Sequence, residues 1–363
     1  MIKKAAAIFL FFPSFFCYSQ ENSALEFLQN ALNTKKDSLE ILYNSSYFGV
    51  PESPAFALLP DKPGEISNLV SPKDFISFVP TTISDGKIKT GIGADVRPFS
   101  QNVGDIKTYW DKPLKRIMWR TIASVGTSPL EDSEDSYLAL GIRIPIIDKG
   151  DPRNHRSRVL AIENQINDIM EKEGPPPFEP DSIWFAKRNK KIDSLTNSKW
   201  KEFKNENWNA FKLNVGIGNA WLLSSSSIKS DSISQNRLGA WIAASKQLTK
   251  NDQLIVSANR SFIDTQDVDS LERARSVVGL KYRYIFGEKL SLSLETAKVW
   301  SDFKDGEGEE SEDKSWYHFG ALAEIRVPKL GGYFGLGGGI NTEDKDARFQ
   351  FKYALYTDRL EKK

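Results

Sequence analysis

The chain has 363 residues with 49 basic and 48 acidic side chains, a balance that argues neither for nor against a nucleic-acid partner, and no such partner is expected. Its one cysteine, Cys17, excludes a disulfide framework. No stretch after the first twenty residues approaches the ~18 consecutive apolar residues of a transmembrane helix, while the negative mean hydropathy fits an exported soluble protein and a β-barrel alike, because barrel strands alternate.

The first predicted element is a leader. Lys3 and Lys4 precede the apolar run Ala5–Phe12, and polar Tyr18-Ser19-Gln20 follows, which reads as a secretory signal spanning residues 1–20 and too short to cross a bilayer. Ser14-Phe15-Phe16 ahead of Cys17 is too bulky for a lipoprotein acylation site, so the mature chain is expected to carry no thiol. Residues 21–74 follow, with helical patterns near Ser23–Leu32 and Lys36–Leu42. The Pro-broken tract Val50–Pro60 comes next; it is too apolar for a free linker and is expected to dock, at or in the mouth of the domain that follows.

From residue 87 the dominant period is two. Ile88, Thr90, Ile92, Ala94 and Val96 alternate with Lys87, Lys89, Gly91, Gly93, Asp95 and Arg97. The same pattern places Ile117, Trp119, Thr121, Ala123 and Val125 opposite Arg116, Met118, Arg120 and Ser124, and Leu138, Leu140, Ile142 and Ile144 opposite Ala139, Gly141 and Arg143. It resumes with Phe211–Gly218 and continues through 237–248, 253–262, 276–286, 289–300, 315–328, 332–341 and 347–357. Runs of about ten to fourteen residues exceed the five or six of ordinary strands and match the nine to eleven that a tilted strand needs to cross a bilayer. The fold class expected is therefore all-β: an antiparallel up-and-down transmembrane barrel over 75–357, with a tail at 358–363. Eleven runs are clear, and Phe75–Thr82, joined by Ser84-Asp85-Gly86, is the best candidate for a twelfth. Aromatics near run ends (Trp119, Trp221, Tyr282, Tyr284, Phe286, Trp300, Trp316, Tyr317, Tyr353, Tyr356) suit interfacial girdles.

Connections set the orientation. Thr249–Asp252, Gly287-Glu288 and Lys329–Gly331 are tight and are assigned to the periplasm; Ser224–Asn236, Asp264–Arg275 and Ser301–Lys314 are long, polar and assigned to the outside. The insert at 148–208 then falls on the periplasmic side. It holds Val159, Ile162, Ile166 and Ile169 at helical spacing, a Gly174-Pro175-Pro176-Pro177 break, and a second helical pattern with Ile192, Leu195 and Phe203.

Residues for catalysis are few. His318 shares a face with Gly320 and Glu324 and reads as a lumen histidine bonded to a neighbour; His155, among Arg153, Arg156 and Arg158, reads as a surface residue. Gly335-Leu336-Gly337-Gly338-Gly339 lacks the Lys-Ser/Thr and the helix of a phosphate loop, and such glycines suit close packing of a plug or a bend in the wall. The acidic stretch Asp305–Asp313 lacks the alternating ligands of a calcium loop. No catalytic residue, metal site or cofactor is assigned.

The informative polar set is basic. Lys87, Lys89, Arg97, Arg116, Arg120, Arg143, Lys212, Arg237, Lys281, Arg283, Arg326, Arg348 and Lys352 fall on the inferred lumen face, with Asp95, Glu295 and Glu324 as the main opposing carboxylates. Such a lumen favours anions. Alternatively, Glu21, Glu26, Asp37, Glu40, Glu52, Asp61, Glu65 and Asp74 of the pre-barrel segment lie inside and pair with those bases.

Three motifs carry a resemblance: Ser53–Leu59, Ser71-Pro72-Lys73-Asp74-Phe75, and Leu138–Gly141 continuing to Asp148-Lys149-Gly150-Asp151-Pro152-Arg153. Together they resemble a family of largely uncharacterised outer-membrane barrel proteins of Bacteroidetes and related bacteria. The resemblance implies an outer-membrane location and a barrel, with the last motif marking a strand's exit into the insert, and implies no activity. Two functions are expected from the whole: a small solute pore or transporter that favours anions, or a non-conducting anchor holding periplasmic or surface partner proteins, for the periplasmic ones through 148–208. Outer-membrane lipid is the expected surrounding partner in both.

Overall fold

The computed structural model describes residues 54–59, 66, 75–84, 87–99, 106–129, 135–151, 154–172, 181–223, 233–265, 270–287, 290–305, 311–327, 332–343 and 347–356. The signal expected at 1–20, the helical patterns at 23–42 and the tail at 358–363 lie outside these residues.

Among the described residues twelve strands form one antiparallel sheet in chain order, closed by pairing of the first with the last. They are β1 (Phe75–Ser84), β2 (Lys87–Val96), β3 (Ile122–Pro129), β4 (Ser136–Asp148), β5 (Lys212–Leu223) and β6 (Ile233–Gln247). The second half comprises β7 (Asp252–Thr265), β8 (Ser270–Phe286), β9 (Leu290–Asp305), β10 (Ser311–Val327), β11 (Gly332–Asn341) and β12 (Ala347–Tyr356). The closing seam runs from Phe75↔Tyr356 to Phe78↔Tyr353, far shorter than the β8–β9 ladder from Ser270↔Asp305 to Phe286↔Leu290. Closure leaves no open edge, which is what lets a sheet sit in hydrocarbon.

Period-two sequence becomes a two-faced wall. Ile142, Ile217, Leu238, Ile242, Val256, Phe262, Leu280, Leu294, Phe319, Ile325 and Leu336 are exposed on the outside, whereas Arg143, Asn214, Ser245, Ser257, Lys281, Ser293 and Glu324 are buried inside. A soluble sandwich would place these faces the other way round. Exposed Tyr282 and Phe286 lie towards one end of β8, and Trp300 and Tyr317 towards the other end of the neighbouring strands. Trp316 departs from the girdle expectation: it is buried inward against Val277, Ala297 and Val299.

Two expectations are corrected. The run 116–125 is not one strand. Residues Ile106–Asp111 (α1) and Pro113–Arg120 (α2) are short helices between β2 and β3, so Arg116, Met118, Trp119 and Arg120 sit on a helix. Pro113 at the start of α2 has no N–H to strand and a φ already helical, which overrides a weak two-residue alternation. The stretches read as long loops are also shorter than expected. β7 continues to Thr265 and β8 begins at Ser270, and β9 and β10 approach each other as closely, so strands of up to 17 residues run well past the length a bilayer requires.

All described helices gather at one rim, the end where β2–β3, β4–β5 and the turns β6–β7 and β8–β9 lie. Arg156–Lys172 (α3) and Asp181–Asn207 (α4) form an antiparallel pair inside the expected insert, joined through Val159 and Phe203 and by Arg158 to Glu206 at 2.6 Å. The pair is tied to the barrel. Trp208 Nε1 donates to Lys250 O at 2.9 Å and Asn209 Nδ2 to Thr249 O at 2.7 Å, while Tyr109 of α1 donates to the Asp151 carboxylate in the turn after β4.

Candidate functional site: an occupied lumen

The Pro-broken tract expected to dock lies within the barrel. Pro54–Leu58 forms one short 3-10 turn, and Ala55, Phe56 and Leu59 are buried with Tyr137 and Ala139 of β4 and Ala220 of β5, with Leu222 and Trp241 packed at the margin. Those strand residues all belong to the inward face. Twelve side chains' worth of wall would leave space at the axis, and an apolar turn fills it because Phe and Leu gain roughly 1.5–3 kcal/mol each by leaving water. Further along, Ile66 is fully buried with Ala243 of β6 and Ile255 of β7. The segment therefore runs along neighbouring arcs of the lumen wall, from β4–β5 to β6–β8.

Glycine makes the approach close enough. A Cβ on Gly141 would lie 2.7 Å from the carbonyl carbon of Pro54 and 2.8 Å from the Ala55 nitrogen, both backbone atoms that cannot swing aside. A Cβ on Gly279 would lie 2.6 Å from Ile66 Cδ1 and 2.8 Å from Ala297 Cβ. The expectation that wall glycines admit a plug was attached to 335–339; the positions at which the described plug makes contact are elsewhere.

Charge holds the other arc. Lys281 Nζ donates to Ile66 O at 2.9 Å and lies 3.2 Å from Glu295 Oε2. The other Glu295 oxygen, Oε1, lies 3.1 Å from His318 Nε2, and His318 Nδ1 lies 2.9 Å from Asn341 Oδ1. His318 is thus a lumen histidine bonded to its neighbours, beside a small pocket lined by Lys281, Ser293, Glu295 and Leu322. Nearer the helix-bearing rim, Arg283 pairs with Glu324 at 2.8 Å, and Ser291 donates to the same carboxylate at 2.8 Å. Towards the opposite rim Arg237 pairs with Glu272 at 3.3 Å.

The basic residues expected to line the lumen fall into four groups. Arg143, Lys212, Arg237, Lys281 and Arg283 are buried on inward strand faces, and Arg326 is half-buried. Arg97 is buried just past β2, with its guanidinium over the Trp119 ring. Arg120 is buried but from the end of α2, donating to Pro145 O and Ile146 O of β4, while Arg116 is half-buried on the same helix and lines no strand. Lys87, Lys89, Arg348 and Lys352 lie in β2 and β12, and their side chains are outside the described residues.

Carboxylates missed from the sequence change the balance. Asp148 and Asp151 are buried at the helix-bearing rim and Glu272 faces Arg237, in addition to the expected Asp95, Glu295 and Glu324. Glu272 was hidden because it lies in the stretch 264–275 read as a loop, where β8 in fact begins at Ser270 and a bulge between Glu272 and Ala274 breaks the alternation.

No family model matches the chain, and no curated protein sequence does. Among solved structures, the chain is similar to a loop-deletion form of OmpT, an outer membrane protein of Vibrio cholerae, with a TM-score of 0.34 and 8% identity over 76% of this chain. The chain spans 65% of that protein's length. It is also similar to the NanC porin, with a TM-score of 0.33 and 7% identity over 77% of this chain and 96% of that one. A third likeness is to Omp33, an outer membrane protein of Acinetobacter baumannii, with a TM-score of 0.30 and 9% identity over 79% and 99%. Likenesses this distant carry no argument about activity; the closed strand order and the apolar exterior make this a membrane-type barrel on their own.

Proposed function

We propose that this chain is an outer-membrane β-barrel of a Gram-negative bacterium whose lumen is closed by its own N-terminal segment, so that small solutes pass only when that segment is displaced. The observation that carries this reading is the burial of Ala55, Phe56, Leu59 and Ile66 against the inward faces of consecutive strands β4–β7. Charge selectivity is the weaker half of the pore expectation. Three of the inward bases, Arg237, Lys281 and Arg283, are answered by Glu272, Glu295 and Glu324 at ion-pair distance, so these three hold the wall and segment in place rather than presenting an anion track. A non-enzymatic role fits the same groups, since His318 and Glu295 are engaged with each other and with Asn341 and Lys281.

A second reading is an anchor for periplasmic partner proteins. The α3–α4 pair favours it: α4 alone has 27 residues, and exposed Lys187, Lys190 and Lys191 lie beyond the part fixed to the barrel.

Single-channel conductance in a planar bilayer separates the two. The intact protein is expected to be silent, and protein lacking residues 21–74 is expected to conduct. Steady conductance of the intact protein would show that the lumen is open despite the segment, and silence of both forms would leave the anchor as the reading.

A further inference from the structure

The helix α2 is short, and among the described residues one of its faces is exposed. Trp119 and Arg120 are buried, and Arg120 fixes the helix to the foot of β4 through Pro145 O and Ile146 O. On the opposite side Leu114 is 77% exposed and Met118, one turn later, 47%. Exposed Lys112 and Lys115 flank them, and half-buried Arg116 follows. The sequence Lys112-Pro113-Leu114-Lys115-Arg116-Ile117-Met118 thus places apolar and basic residues on adjoining strips of one exposed surface.

The position of that surface says what covers it. α2 passes straight into β3, whose Val125 is exposed on the outer wall. Ile146 and Ile147, exposed beside a bulge in β4, and Phe99, exposed just beyond β2, lie at the same foot of the barrel. The apolar patch of α2 therefore lies at the helix-bearing edge of the lipid-facing wall, where α2 leads directly into β3. A basic amphipathic helix at that level matches a bilayer interface, where apolar side chains reach the acyl boundary and lysines meet phosphate.

We propose that α2 is an interfacial helix that seats the helix-bearing rim on anionic phospholipid, with Leu114 and Met118 in the acyl boundary and Lys112, Lys115 and Arg116 at the headgroup phosphates. The proposal rests on the apolar exterior and does not depend on whether the lumen conducts.

The experiment uses the full-length mature chain, which has no cysteine once Cys17 is removed with the leader, or is changed to serine. Leu114→Cys, Ile217→Cys on the wall and Ser194→Cys on α4 each carry an environment-sensitive fluorophore, in vesicles of phosphatidylcholine with or without phosphatidylglycerol. The label at 114 is expected to be blue-shifted and quenched by acyl-chain nitroxides, as at 217, while the label at 194 stays unquenched. A label at 114 that behaves like 194 would overturn the proposal, and so would a blue shift without lipid quenching, because protein rather than lipid would then be the cover. For the headgroup half, Lys112→Gln and Lys115→Gln are each expected to lower phosphatidylglycerol retained by the detergent-purified protein roughly fivefold. Unchanged retention in the double variant, with heat-modifiable migration intact, would overturn that half.

Discussion

Two arcs of one lumen wall hold the same N-terminal segment by different physics. On the β4–β5 arc the contact is apolar and close-packed: Phe56 and Leu59 lie among Tyr137, Ala139 and Ala220, and Gly141 gives up its side chain to let the backbone in. On the β8–β10 arc a polar contact is added to the packing of Ile66 over Gly279: Lys281 reaches Ile66 O, and the wall behind it is knitted by Glu295, His318, Arg283 and Glu324. Apolar packing fills space but tolerates small slips, whereas a buried ion pair is costly unless its partners are in place. The first arc supplies affinity for the segment. The second adds a directional bond to one backbone carbonyl.

The sharpest way to break this comparison is to remove a charge on the polar arc. Glu324→Ala leaves Arg283, 2% exposed, without its 2.8 Å carboxylate, and is expected to cost about 3–5 kcal/mol of folding stability. Urea unfolding in detergent, read by heat-modifiable migration on a gel, measures it. A loss under 1 kcal/mol would mean the pair is hydrated and the arc is not a dry one.

The apolar arc should fail differently. Phe56→Ala is expected to weaken docking of the segment by about 3 kcal/mol while the barrel itself stays folded, because the residue belongs to the plug and not to the wall. Protease cleavage within 54–66 should then appear without loss of the heat-modifiable band. Gly141→Ala, whose new Cβ would press on Pro54 from 2.7 Å, is expected to give the same phenotype from the wall side, at about 1–3 kcal/mol.

The smallest effect calibrates the rest. Lys199 and Glu202 form an exposed pair on α4 at 3.3 Å, and Lys199→Ala is expected to change stability by less than about 0.5 kcal/mol in the same urea assay. A larger change would mean α4 contributes to the barrel's stability and is more than an appendage.

Much of this was written into the residues one after another. Alternation of Val278, Leu280 and Tyr282 with Gly279, Lys281 and Arg283 determined a strand and which face meets lipid, because side chains on a strand take opposite sides in strict turn, though the strand begins at Ser270, earlier than the alternation showed. The helical spacing of Val159 and Ile162 determined α3 for the same local reason. Pro113 was legible too, and misread: its local veto on strand is stronger than two alternating pairs. What only the tertiary structure decided is which residues meet across the lumen. Ile66 and Lys281 are 215 positions apart, and Arg283 and Glu324 are 41 apart. Their contact depends on barrel closure, on register and on the bulge at Glu272, and no period within a strand encodes any of these. The sequence by itself thus determined a two-faced wall and an apolar segment that had to dock; closure alone decided that the segment docks inside and that Lys281 and Arg283 meet Glu295 and Glu324.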